Sequence, residues 1–263
     1  MIELDPITGR IRLREGDPNE CLILYGSHAR GDFTAASDID VLRVANARAF
    51  RENIEESITL HTYTLDDLLV MARQGSLFVL HLLQEGSPLH DPMLVMAMLR
   101  AAFRKPESYL QAARERLGCA IRLLDVDDSL FATAPREFVA TASFMCRSLL
   151  YAMHADRGAF SFSLRTLARR DDTASLLLAI KHTQTTYDNF LRARQATRAY
   201  FREDLEETLV STLPDLAALG RADSVFDGLM RRIQKRVGSD PYDVAPSILG
   251  RPMRELGQPS MAW

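Results

Sequence analysis

The chain has 263 residues, 47% hydrophobic and 25% charged, with 13 Gly and 11 Pro. That length suits two domains, each with its own core, and the composition excludes a disordered, collagenous or disulfide-built protein. The formal net charge of −3 conceals two opposite parts: residues 1–92 hold 8 Arg against 15 Asp plus Glu, net −7, and residues 93–263 carry net +4. An acidic front suits a metal-binding domain and a basic rear suits an anionic partner, although two halves attracting each other would give the same split.

No apolar run reaches the roughly 18 residues of a membrane span. The opening MIELDPITGR has neither the basic start nor the apolar stretch of a signal peptide. A cytoplasmic protein with no membrane association is expected. Cys21, Cys119 and Cys146 are widely spaced, odd in number and set in apolar surroundings, which fits core thiols rather than bridges or a metal site.

In chain order, Ile2–Leu4 and Ile11–Arg14 read as a hairpin, and Cys21–Tyr25 as a buried strand ended by Gly26. Strands are expected at Asp38–Val44 and Ser57–Thr64, with helices at Ala45–Ile54 and Leu65–Arg73. The second of these helices has Thr64 as its N-cap and Asp67 at its third position. Gly86, Pro88 and Pro92 then break the pattern. Beyond them the apolar residues recur at helical spacing, in Leu110–Leu124 and in Phe138–Met153. The expected fold is α+β: a small mixed-sheet domain over residues 1–92, then an all-α helical bundle over 93–263. The tail from Pro246 reads as irregular.

Chemistry concentrates in YGSHARGDFTAASDIDVL, Tyr25 to Leu42. A Gly-Ser turn follows a strand, and Asp-Ile-Asp opens the next one. Alternation along a strand puts Asp38 and Asp40 on one face about 7 Å apart, with Ile39 turned into the core. Two such carboxylates suit Mg²⁺, a hard cation that takes one or two carboxylates with phosphate and water oxygens. Gly26 lets the backbone approach a triphosphate, and the Ser27 hydroxyl and the N–H groups after it can bind its oxygens.

These residues resemble the signature of the minimal nucleotidyltransferases, members of the DNA polymerase beta superfamily. The resemblance rests on Gly26, Ser27, Ala29, Arg30 and Gly31, the gap that follows, and Ser37-Asp38-Ile39-Asp40. It implies transfer of a nucleoside monophosphate, AMP from ATP in the first instance, to an acceptor hydroxyl on a protein, an RNA or a small molecule. It further implies Mg²⁺ held by Asp38 and Asp40, and Gly26, Ser27 and Arg30 at the nucleotide. The pattern is incomplete in one place. The family's third carboxylate, which activates the acceptor, aligns with Thr59 in SITLHTYT. His61, on the same face, is the candidate base, with Glu55 and Glu56 as alternatives, and a triphosphate-binding regulator of weakened catalysis stays open beside the enzyme.

Weaker signals lie in the rear half. Arg147 and His154, seven residues apart, resemble the element of HEPN ribonucleases in which four to six residues separate an Arg from a His, these being helical partners of such domains in bacterial toxin-antitoxin or defence systems. A structural role for the pair is the simpler reading, with the helical part binding the acceptor. Arg194, Arg198 and Arg202 make a stripe at i, i+4, i+8, read as a solvated face before a phosphate-contacting one. Tyr187, Phe190, Tyr200 and Phe201 read as core. A homo-oligomer is compatible with all of this.

Overall fold

The computed structural model describes residues 20–35, 37–45, 52–55, 58–118, 120–183, 185–201 and 210. The expected hairpin before Cys21, the irregular tail, Cys119, Glu56 and Arg202 lie outside the described residues. The described residues divide into two compact units, those up to Pro106 in the first and those from Glu107 in the second. The fold is α+β, with a mixed sheet in the first unit and helices in the second.

In the first unit β1 (Cys21–Tyr25), β2 (Ile39–Val44), β3 (Glu52–Glu55), β4 (Ile58–Tyr63) and β5 (Ser87–His90) form one sheet of order β3-β4-β2-β1-β5. β2 and β4 run parallel and the other neighbours antiparallel. Helix α1 (Gly26–Arg30) joins β1 to β2, and α2 (Leu65–Arg73) and α3 (Leu77–Glu85) follow β4. The Thr64 side chain accepts from the Asp67 N–H, the cap expected for α2. Strand β3 lies where the helix Ala45–Ile54 was expected to end, because its backbone pairs with β4 and a ladder outweighs weak helix propensity. β5 contains Pro88, which the sheet accepts because this is an edge strand.

Leu22, Leu24, Val41, Ile58 and Leu60 form a buried cluster, with Ile39 and Ala29 packed against it. Strand alternation sends the odd-numbered residues of β1 and β4 and the even-numbered residues of β2 to the opposite face. That face carries Tyr25, Asp40, Thr59 and His61. Helix α4 (Val95–Ala102) follows the break at Pro92, packs on α2 and α3, and belongs to the first unit. Its first N–H groups, at Val95 and Met96, are accepted by the Asp91 carboxylate.

The second unit is built around the 22-residue α7 (Pro135–Asp156). Before it come α5 (Tyr109–Leu117), a 3₁₀ turn at Ala120–Leu124 and α6 (Asp128–Phe131); after it come α8 (Leu164–Leu167), α9 (Asp172–His182) and α10 (Tyr187–Arg198). The apolar periodicity of Leu110–Leu124 is thus shared between two elements, divided at Gly118. Phe131, Phe138, Tyr187 and Phe190 meet as one aromatic group with centroids 5.1–6.2 Å apart. No described helix is long and apolar enough to cross a membrane.

Candidate active site

Register places the site. Asp40 is the partner of Tyr25 on β1 and of Thr59 on β4, so three side chains form a row across three adjacent strands on one face. Asp40 is half-buried in this row, while Asp38 stands exposed one residue before β2 begins. Ile39 between them packs into the opposite cluster, as alternation requires.

Gly26 is needed twice over. Its φ is +74°, a left-handed conformation that side chains disfavour, and a Cβ built on it would lie 2.7 Å from Oδ2 of Asp40. The glycine therefore sets how closely the Gly-Ser turn approaches the carboxylate. Gly31, at φ +76°, ends α1 as its left-handed cap, its N–H donating to the His28 carbonyl. Within this turn the two glycines of Gly-Ser-x-Ala-Arg-Gly thus answer two separate backbone demands.

The gap between the turn and Asp38 is organised. Ser37 Oγ accepts from the Thr34 N–H at 2.9 Å, and Ser37 N–H donates to the Thr34 carbonyl at 2.9 Å. The His28 ring lies flat on Phe33, centroids 4.3 Å apart, and its Nε2 is 3.2 Å from the Ser37 carbonyl. These contacts hold the residue that precedes Asp38. Arg30 donates to Glu85 at 2.7 Å and to Asp32 at 3.1 Å, so its guanidinium ties α1 to α3. The same Glu85 oxygen lies 2.9 Å from Nε2 of His81.

Thr59 is buried opposite Asp40, and no acid is found within β4. His61 lies one step further along that face and is partly exposed. The Tyr25 hydroxyl and His61 Nδ1 are 2.5 Å apart. β1 and β4 flank β2, about 10 Å apart, so these side chains meet above β2. The Tyr25 ring is met edge-on by Phe78 and His81 of α3, at 5.7 and 5.6 Å. Tyr25, His28, Phe33, His81 and Glu85 did not emerge as site residues from the sequence. A residue one before the Gly-Ser turn, on the same strand parity as the site, was the available signal for Tyr25.

The carboxylate pair and the Gly26 cradle fit Mg²⁺: the oxygens are hard, one is half-buried and one faces solvent, and the missing Cβ leaves room beside Asp40. Residues 10–74 match a family model described as a nucleotidyltransferase domain. The first unit carries a nucleotidyltransferase domain. The match runs from before β1 through α2 and so takes in every residue of the row. No curated protein matches the chain.

Beyond the nucleotidyltransferase domain, the rear unit disposes its expected residues differently from one another. His154 Nε2 is 3.2 Å from Asp171, the residue whose carboxylate also caps α9, while Arg147 is exposed. The cross-helix tie is made by His154. The arginine stripe is not a solvated face where it is described. Arg194 is buried, Arg198 is mostly so, and both point at the buried Asp125, Arg194 at 3.4 Å and Arg198 in direct hydrogen bond. Asp125 lies far away in sequence, which local periodicity does not register. Phe190 is wholly buried, in keeping with a core role.

Proposed function

We propose that the chain is an enzyme that transfers a nucleoside monophosphate, AMP from ATP, to an acceptor hydroxyl on a protein, an RNA or a small molecule. The row Tyr25-Asp40-Thr59, with the Gly26 Cα against Asp40, carries this reading. Asp38 and Asp40 would hold Mg²⁺, which when bound offsets the charge of the phosphate oxygens. Ser27 and the backbone of the turn bind the triphosphate, and Arg30, held by Glu85 and Asp32, keeps the turn seated and has further N–H donors to offer.

In the step itself the acceptor oxygen forms a bond to the α-phosphorus, the bond from that phosphorus to the bridging oxygen breaks, and pyrophosphate leaves. The acceptor proton needs a destination. Thr59 offers none, and His61 is the nearest titratable side chain on β4 of the same face, so Nε2 of His61 receives it. The regulator reading draws on the same Thr59: without an acid there, triphosphate binding would outlast catalysis.

Incubation with each labelled triphosphate and Mg²⁺, with and without cell extract, tests the proposal. Label should move to an acceptor, with pyrophosphate released, and Asp40→Asn should stop both. Binding of triphosphate without any transfer or pyrophosphate release would replace the enzyme by the regulator.

A further inference from the structure

We infer that His28 is a positioning residue of the metal site, its Nε2–H tying the Ser37 carbonyl to α1 and thereby seating Asp38; this rests on Asp38 and Asp40 holding Mg²⁺. The two carboxylates are fixed by different means. Asp40 lies within β2, between ladder partners on β1 and β4. Asp38 precedes β2, whose pairing with β4 begins only at Ile39. The place of Asp38 is therefore set by the loop that leads into it. A cation shared by both carboxylates needs their oxygens at a fixed separation, so slack in that loop is felt directly as lost metal affinity.

The loop is shaped from within and tied back at one point. Ser37 and Thr34 bond to each other through N–H, carbonyl and hydroxyl groups at 2.9–3.0 Å, which folds the turn without attaching it to α1. Among the described residues, the hydrogen bond from this end of the loop back to α1 is that between His28 Nε2 and the Ser37 carbonyl, 3.2 Å long. A carbonyl oxygen only accepts, so Nε2 carries the proton and the lone pair of the neutral ring sits on Nδ1. Nδ1 is buried and has no hydrogen-bond partner among the described residues. Phe33 fixes the plane of the ring, lying 10° from parallel at 4.3 Å. A side chain that merely filled this space would be better apolar, since an unpaired buried acceptor is a cost. The donor on the other nitrogen is what an imidazole adds here.

The test removes or keeps that donor and leaves both carboxylates in place. Mn²⁺ stands in for Mg²⁺ at oxygen ligands, and its free form is counted by electron paramagnetic resonance as it is titrated into the full chain without nucleotide. Asp38→Ala should weaken binding most. His28→Phe keeps a ring against Phe33 but has no donor, and should weaken binding about fivefold, what one neutral hydrogen bond is worth. His28→Asn, whose amide reaches only as far as Nδ1, should do the same. His28→Gln puts an amide N–H where Nε2 stands and should bind close to the parent. Circular dichroism checks that each variant is folded; should His28→Phe not fold, His28→Asn against His28→Gln carries the test. A folded His28→Phe with parental affinity, or His28→Gln as weak as His28→Asn, would overturn the inference. If Asp38→Ala binds Mn²⁺ as the parent does, the metal-site reading fails and takes His28 with it; if Asp38→Ala is weakened while every His28 variant is silent, His28 alone is misjudged.

Discussion

Asp38 and Asp40 at the mouth of the front sheet, and Arg194 and Arg198 on α10, are both like-charged pairs at the period of their own element, yet they end in opposite surroundings. The carboxylates face outward, one exposed and one half-buried beside Gly26. The guanidiniums turn inward onto Asp125, which is 1% exposed. Local spacing decides that two charges share a face. Whether that face becomes a site or a core contact is decided by what a distant part of the chain places against it: an absent Cβ in one case, an opposite charge in the other.

If that contrast is correct, the two pairs should fail in opposite ways when broken. Asp40→Asn should abolish nucleotide transfer, by about a thousandfold or more for the several kcal/mol attributed to such charge stabilisation. Its melting temperature should stay close to the parent's, since Asp40 is only half-buried and the ladder of its strand is made by the backbone. Gly26→Ala should lose activity too, because its Cβ would meet the Asp40 carboxylate. Unchanged transfer in Asp40→Asn would remove the front pair from the chemistry and with it the contrast.

The rear pair should instead respond in stability. Asp125→Ala takes away the carboxylate shared by two buried guanidiniums, a change that typically costs about 3–5 kcal/mol. Urea unfolding should show it as a lower midpoint. A variant as stable as the parent would mean that Asp125 contributes nothing net, and that the arginines are held by other groups.

The front domain was largely legible because its information is local. The Gly-Ser turn, the Asp-Ile-Asp strand opening and the Thr64 cap are each written within a few residues, and the structure places them in strand, turn and helix as their spacing requires. What escaped the sequence depends on register. That Tyr25 reaches His61 follows from β1, β2 and β4 being neighbours, a fact of topology rather than of any motif. Strand β3 and the buried fate of Arg194 share that cause: each is set by a partner whose position only the folded chain supplies. Leu110–Leu124 differed for a smaller reason, since α-helical and 3₁₀ turns give similar apolar patterns over a few residues and Gly118 divides them.

The effects expected to be smallest at neutral pH compare the two units through one thiol each. Burial, with help from Asp91, raises the Cys21 thiol far above its ordinary range; burial pushes Cys146 up to about 12, with a contact from Thr197 working the other way. Both are protonated in the folded protein at neutral pH and inert as nucleophiles. The unfolded chain loses these protons near the ordinary value of 9.0, so above that pH the folded state binds more protons and stability falls as pH rises. The slope is at most about 1.4 kcal/mol per pH unit for each thiol. Cys146→Ala should flatten its share of the decline between about pH 9 and 12 in thermal melts. At pH 8, alkylation followed by mass spectrometry should find both thiols labelled only when their unit opens. We propose that the front and rear parts are separate domains, and unequal labelling rates for Cys21 and Cys146, with a stable proteolytic fragment of either part, are then expected. Equal rates under every condition, and no such fragment, would mean that the two units unfold as one.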